Sequence, residues 1–364
     1  MDEVELLKKC VEIPSISGEE GELSKFLLNR MKKLGFAARI DSIGNVIGQI
    51  GQEEQPVLLL CSHIDTVVGT IPVKLEDGKL YGRGAVDAKG SLIAMVCAAA
   101  RFAKKKIPGK IIVAGIVEEE TTLRGIRTLL DSLYNVNFAN FGEPSGVNRI
   151  CVASKGRIHL HLFFKTESGN SHVSTSEKNV NAIHVAIDFW NQFKNRMFQT
   201  PFLGKTPYFS VEPNITVIKA GEATNILPDS CDVDIDIRFP PGIKYDEIMA
   251  EIDAITGKLE QETGVTINFE VLSQIEGYRV DKDTKVAQAL KKAIEEVTGS
   301  EAKFLRKAGT NFMTIIGNRL QIPVVSYGPG DPSLEHTPNE HIDIAEYKKS
   351  IDVLEKFISN VLSY

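Results

Sequence analysis

The sequence predicts an α/β fold built on a mixed, mostly parallel sheet with helices on both faces, interrupted by an inserted ferredoxin-like α+β domain. Three observations carry this. Apolar strand runs alternate with helical patterns through the first part of the chain. The middle instead sets strand beside strand, in the order β-α-β-β-α-β. The β/α alternation then resumes towards the C-terminus. At 364 residues the chain is too long for one ordinary core, so two domains are expected.

The elements follow in order. Ser17-Gly18-Glu19-Glu20 reads as a capping box, with hydroxyl and carboxylate satisfying orphan amides. Leu23, Phe26, Leu27, Arg30 and Leu34 follow at helical spacing, and Gly35 supplies the stop. Residues 57–61 are a buried strand run. Residues 92–102 are apolar almost all round, as in a helix packed between layers. Residues 110–117 form another strand run, closed by Glu118-Glu119-Glu120.

In the middle, 157–166 alternates strictly, with Ile158, Leu160, Leu162 and Phe164 on one face. Ile183, Ala186, Ile187, Trp190, Phe193 and Met197 make a helix stripe. Strands follow at 214–219 and 231–239. Tyr245, Ile248, Met249, Ile252 and Leu259 make a second stripe, and Val265, Ile267, Phe269 and Val271 a last strand. One face of such a sheet is covered by two helices, and the other is a candidate for subunit contact. The expected division is 1–153 with 271–364 as the discontinuous catalytic domain, and 154–270 as an inserted lid or dimerisation domain. After the insertion, Val286, Leu290, Ala293, Ile294 and Val297 mark a helix stopped at Gly299. A strand at 322–327 and a terminal helix at 344–359 complete the chain.

Composition excludes several classes. Hydrophobic content of 43% and charged content of 25% are those of a globular protein. A net charge of -6 gives no reason to expect nucleic acid or anionic membrane as partner. No apolar run is long enough to span a bilayer. The start, Asp2-Glu3-Val4-Glu5, is acidic where a signal peptide is basic, so a cytoplasmic location is expected. Five widely spaced cysteines without a C-x-x-C fit reduced thiols. Cys61 reads as a small core residue.

Five stretches place a metal-type ligand just past a strand or before a helix. They are Ser62-His63-Ile64-Asp65-Thr66, Gly82-Arg83-Gly84-Ala85-Val86-Asp87, Glu118-Glu119-Glu120, Gly142-Glu143-Pro144 and Glu335-His336-Thr337-Pro338. Singly, each has an ordinary reading as a surface histidine, a solvated charge run or a turn. Jointly they converge, because an open α/β sheet gathers functional groups at the carboxyl ends of its strands. Two histidines and several carboxylates suit zinc, with Co2+ or Mn2+ as substitutes. His159, His161, His184 and His341 read as ordinary structural histidines.

These motifs resemble the two-zinc aminoacylase and carboxypeptidase family of acetylornithine deacetylase and succinyl-diaminopimelate desuccinylase, which has a zinc-peptidase type fold. His63-Ile64-Asp65 matches its H-x-D. Gly82-Arg83-Gly84-Ala85-Val86-Asp87-Ala88-Lys89-Gly90 matches its G-R-G-x-x-D-x-K-G. Within the insertion, Gly169-Asn170-Ser171-His172 and Asn225-Ile226-Leu227-Pro228 through Arg238 also match. The resemblance implies two zinc ions per chain. His63 and Glu143 would hold one, Glu120 and His336 the other, and Asp87 would bridge them. It implies Asp65 behind His63, Glu119 as general base and His172 as an oxyanion donor, commonly across a homodimer interface. Asn225 and Arg238 would bind a substrate carboxylate. The family's glycine five residues after its second glutamate matches Gly125, which selects Glu119-Glu120 over Glu118.

Leu305-Arg306-Lys307-Ala308-Gly309-Thr310 and the stretch from Tyr327 to Thr337 resemble a narrower branch. That branch releases lysine or ornithine from an amino-group carrier protein, cutting an amide to the carrier's C-terminal glutamate side chain. Gly309 and Thr310 would line the substrate pocket. Where the branch continues with a small residue and Asp, this chain has Asn311-Phe312, so a carboxylate gives way to a ring. Lys104-Lys105-Lys106, Arg124 and Arg127 could meet an acidic carrier, or simply complement a helix end. Dipeptidase, carboxypeptidase or desuccinylase activity is the alternative. The last possibility, a scaffold without catalysis, predicts an eroded ligand set, and here the set is intact.

Overall fold

The computed structural model describes residues 2–133, 135–167, 169–175 and 179–362. The chain forms two compact units. One runs up to Ala153, resumes at Val280–Arg306 and continues from Ile315; the other comprises Ser154–Arg279 and Lys307–Thr314. The first unit resumes later than residue 271 because the strand Thr266–Ile275 carries the second unit's sheet past that point.

In the first unit, strands Ala37–Ile40, Val46–Ile50, Lys110–Ile116, Val57–His63, Phe138–Phe141, Val324–Ser326 and Arg149–Ser154 lie side by side in that order. The four from Lys110–Ile116 to Val324–Ser326 are mutually parallel, and antiparallel strands flank them. Val57–His63 is buried at every position, which is why its sequence runs apolar without alternating. The helix Lys89–Ala100 is apolar all round because it packs between that strand and the helices Glu3–Glu12 and Ile344–Leu362. The helix Lys285–Thr298 ends at Gly299, whose φ of 68° is the left-handed stop that glycine accommodates.

The second unit is a four-stranded antiparallel sheet in the order Glu212–Ala220, Ser230–Phe239, Gly156–Lys165, Thr266–Ile275. With the helices Ala182–Met197 and Tyr245–Thr263 this is the ferredoxin-like arrangement. Alternation works as expected. Ile158, Leu160, Leu162, Phe164, Val233, Ile235, Ile237 and Phe239 are buried in one core with Phe189, Phe193, Ile248 and Ile252. The opposite face is polar: Arg157, His159 and His161 stand across from Arg238, Asp236 and Asp234.

Two local expectations are corrected. The helix Ala182–Met197 buries Val185, Ala186, Phe189, Phe193 and Met197, while Ile187 is 46% exposed. Both stripes fit a 3.6-residue period, and the large rings at 189 and 193 decide which one faces the sheet. Ser17 caps no helix. The helix Gly21–Lys33 has Glu20 at its N-cap without a side-chain cap bond, and Ser17 Oγ donates to Asp65 Oδ2 at 2.7 Å. A charged tertiary acceptor outweighs a local amide partner. Among the described residues no helix is long and apolar enough to cross a membrane.

Candidate metal centre

The carboxyl ends of the parallel strands carry the candidate ligands. His63 is the last residue of its strand, Glu119 and Glu120 follow Lys110–Ile116, and Glu143 follows Phe138–Phe141. Gly142 makes the last approach possible: a Cβ there would lie 2.7 Å from Met95 Cε and 2.9 Å from Ser62 Cβ. Asp87 precedes the helix Lys89–Ala100. His336 holds φ at 60°, a left-handed conformation uncommon for non-glycine residues and concentrated at functional sites. A groove of about 790 Å³ lined by Lys32, Phe36, Arg39, Val57 and Lys110 lies at the other, amino ends of these strands, away from the cluster.

The geometry centres on Asp87. His63 Nε2 stands 3.0 Å from Asp87 Oδ1 and 3.8 Å from Glu143 Oε1. His336 Nε2 stands 3.0 Å from Asp87 Oδ2 and 2.9 Å from Glu120 Oε1. Asp87 therefore turns one oxygen to each histidine. The donor atoms of His63, Asp87 and Glu143 lie within 4.8 Å of one another, as do those of Asp87, Glu120 and His336, and those of His63, Glu119 and Glu120. Glu118 belongs to none of these groups: its carboxylate accepts from Thr122 Oγ1 and lies 3.6 Å from Arg124.

His63 Nδ1 donates to the Asp65 carbonyl at 3.0 Å, with the Asp65 carboxylate 3.4 Å away, so Nε2 is the nitrogen turned to Asp87. The Asp65 carboxylate has further work, accepting from the Glu119 and Glu120 amides at 3.0 Å each. Glu340, absent from the sequence-based site, is fully buried. It accepts from the Val86 and Asp87 amides at 3.0 and 3.1 Å and pairs with Arg83 Nη1 at 2.7 Å. Its only signal was an acid four residues after His336.

Five carboxylates, Asp65, Asp87, Glu119, Glu120 and Glu143, meet two histidines here. Two imidazolium charges cannot balance them, and burial makes the imbalance costly. Burial pushes Glu119 well above the usual carboxylate range; His63 opposes this, while Glu143, Glu120 and Asp87 add to it. Burial and then Asp87 raise Glu120. Burial disfavours charge on His63, yet hydrogen bonds with Asp65 and Asp87 carry it well above its ordinary value. Asp87, with help from Glu120 and against burial, raises His336 to about 9. A donor set of two imidazoles and crowded carboxylates fits two divalent cations on either side of Asp87, which relieve this repulsion.

In the second unit the remaining candidates fall into two clusters. His172 and Asn225 adjoin: Ser171–His172 pairs with Ile226–Leu227, and the Asn225 carbonyl accepts from Val173 N at 3.1 Å. Ser174 N donates to His172 Nδ1 at 3.2 Å, which leaves the proton of the neutral ring on Nε2 as a donor. Arg238 and Thr310 form the other cluster. Arg238 Nη1 donates to Thr310 Oγ1 at 3.3 Å, Thr310 Oγ1 donates to the Lys155 carbonyl at 2.7 Å, and Ser154 Oγ donates to the Gly309 carbonyl. Asn311 Oδ1 accepts from Met313 N at 3.1 Å at the start of the helix Phe312–Leu320, and the Phe312 ring is fully buried.

Candidate ligands gathered at strand ends of a parallel sheet, beside a ferredoxin-like unit, fit one class: a metal-dependent hydrolase. The chain belongs to peptidase family M20/M25/M40, whose pattern matches residues 59–360. It is 33% identical over 342 residues to a LysW-lysine/LysW-ornithine hydrolase of Sulfurisphaera tokodaii, covering 94% of this chain and 90% of that one. It is 31% identical over 363 residues to a LysW-lysine hydrolase of Deinococcus radiodurans, covering 98% and 96%. Among solved structures, aminopeptidase PepT from Bacillus cereus shares the fold, with a TM-score of 0.85 at 23% identity over 99% of this chain and 98% of that one.

Proposed function

We propose that this enzyme hydrolyses the amide that blocks the amino group of lysine or ornithine, in a carrier-protein-linked or N-acetyl precursor of lysine or arginine biosynthesis. The observation that carries the chemistry is Asp87, with one oxygen 3.0 Å from each of two histidines and a glutamate beside each. The substrate rests on the named activities of relatives that match almost the whole chain.

In this reading His63 and Glu143 would hold one metal ion, Glu120 and His336 the other, and Asp87 would serve both. The ions are Zn2+, with Co2+ as a working substitute. Once bound, such ions would supply Lewis acidity and lower the pKa of a water. Glu119 accepts the proton of the attacking water and passes it to the leaving amine. His172 Nε2–H donates to the carbonyl oxygen as negative charge develops on it. Arg238, whose Nε and Nη2 already pair with Asp236, and Asn225 take the substrate's carboxylate, with Gly309 and Thr310 lining the pocket.

A pair of chains suits this assignment. Asn225 precedes Ser230–Phe239 and Arg238 lies at its far end, so most of a strand, about 26 Å, separates the two clusters within one chain. One small substrate is too short to reach both, and a second copy could supply the missing cluster. The edge strand Glu212–Ala220 exposes Val217 and Ile218 at 39% and 52%, as an interface would. The lack of a carboxylate at position 312 favours a second reading, hydrolysis of dipeptides.

Metal titration with single turnover tests the chemistry. Chelated protein should take up two equivalents of Zn2+ and recover hydrolysis of N-acetyl-lysine or of a glutamate γ-amide of lysine. Glu119→Gln should keep both metal ions and lose turnover by roughly 10²–10⁴-fold. Near-normal turnover in that variant would overturn the base assignment.

A further inference from the structure

Four consecutive backbone amides lead from the strand Lys110–Ile116 into the two site glutamates, and each meets a side chain from a distant part of the sequence. Val117 N donates to Asn45 Oδ1, Glu118 N to Glu20 Oε1, Glu119 N to Asp65 Oδ1 and Glu120 N to Asp65 Oδ2, all at 3.0 Å. The segment has left the sheet, with Glu118 at φ 56°, and the next helix starts only at Arg124. No regular ladder serves these amides, so the borrowed acceptors fix the path of the turn.

The acceptors are themselves held. Asn45 Nδ2 donates to Asp41 Oδ2 at 2.7 Å and to the Gly125 carbonyl at 2.9 Å. Ser17 Oγ donates to Asp65 Oδ2. Asn45 is fully buried and Glu20 is 5% exposed. Glu20 is the informative member. It sits at a helix N-cap without capping that helix, and its carboxylate instead serves a turn 98 positions away. Burying a carboxylate is costly, and this one accepts from the Glu118 amide of the turn.

We propose that Glu20 and Asn45 are positioning residues for the Glu119–Glu120 pair. They hold the turn so that Glu119 faces the reacting centre and Glu120 faces its metal. The proposal deepens the assigned function and rests on Glu119 as base and Glu120 as ligand. Glu20 lies outside the metal-type groups, and each of the two residues acts through a backbone amide.

The test compares Glu20→Met, which keeps side-chain length without an acceptor, with Glu20→Gln, which retains an oxygen. The probe is a peptide ending in glutamate whose γ-carboxyl is amide-linked to lysine. Glu20→Met should lower kcat roughly 10- to 100-fold, with KM changed less than about twofold. Glu20→Gln should restore kcat to within about threefold of the parent, because the acceptor returns. Two readouts are independent of turnover. Hydrogen exchange at amides 117–120 of the chelated protein should quicken in Glu20→Met and not in Glu20→Gln. The visible spectrum of the Co2+-loaded protein should change in Glu20→Met alone. Parental kcat and exchange in Glu20→Met, or a Glu20→Gln no better than Glu20→Met, overturns the proposal. Should Glu20→Met not fold, Asn45→Ala decides by the same measurements. Glu119→Gln in parallel separates the two ideas. If it stays active, the underlying reading fails; if it is dead beside an unaffected Glu20→Met, only the positioning role fails.

Discussion

Glu340 accepts from the two amides that lead into Asp87 while its charge is met by Arg83. Both partners are largely enclosed, so removing one charge leaves the other buried and unbalanced. Glu340→Gln should therefore destabilise the protein by about 3 kcal/mol, read as a lowered thermal midpoint. An unchanged midpoint would show that Arg83 finds another partner. The cysteines make an opposite case. All five are free and buried, and burial pushes Cys10 and Cys97 up to about 12. A thiol reagent should label none in the native protein and five after denaturation; one fast native thiol would contradict this burial. The metal-type residues were legible in the sequence because each stands in a short motif, most of them at a strand end and Asp87 before a helix. Glu20, Asn45 and Glu340 were not, because a side chain serving a distant amide leaves no period or spacing behind. Ser17 was misread for the same reason, its local pattern being complete while its partner, Asp65, lay elsewhere.

At the scale of elements, the strands were readable wherever one face is buried. Gly156–Lys165 and Ser230–Phe239 alternate residue by residue, and Val57–His63 shows the unbroken apolar run of a strand covered on both sides. The helix Ala182–Met197 was readable in extent but not in phase, since Ile187 and Phe189 compete for the core and only packing settles it. Its start rests on a cap the sequence reading passed over: Asn181 Oδ1 accepts from Ile183 N at 2.9 Å. Asn181→Ala should cost about 1 kcal/mol, measured by urea unfolding, and Asn181→Asp should retain most of the parent's stability. No loss in the alanine variant would mean that packing alone nucleates this helix.

For the whole molecule, the order of elements announced a split catalytic unit, but the point of return was set by how far the strand Thr266–Ile275 extends, which composition does not mark. The short segment Lys307–Thr314, expected in the catalytic domain, falls in the second unit, because its motif speaks of substrate and not of the unit it packs in. The proposed association of two chains belongs to this scale. Ile218→Asp, on the exposed edge strand, should convert a dimer to monomers in light scattering and lower turnover with it. Full turnover by a monomer would refute a shared site. The central claim, that two metal ions here serve the release of a basic amino acid from a blocked amine, meets its most direct test in one comparison. With Zn2+ restored, kcat/KM is measured for lysine linked through its amine to a carrier's terminal glutamate side chain and for simple dipeptides. The account predicts faster turnover of the linked lysine; faster turnover of the dipeptides would contradict it.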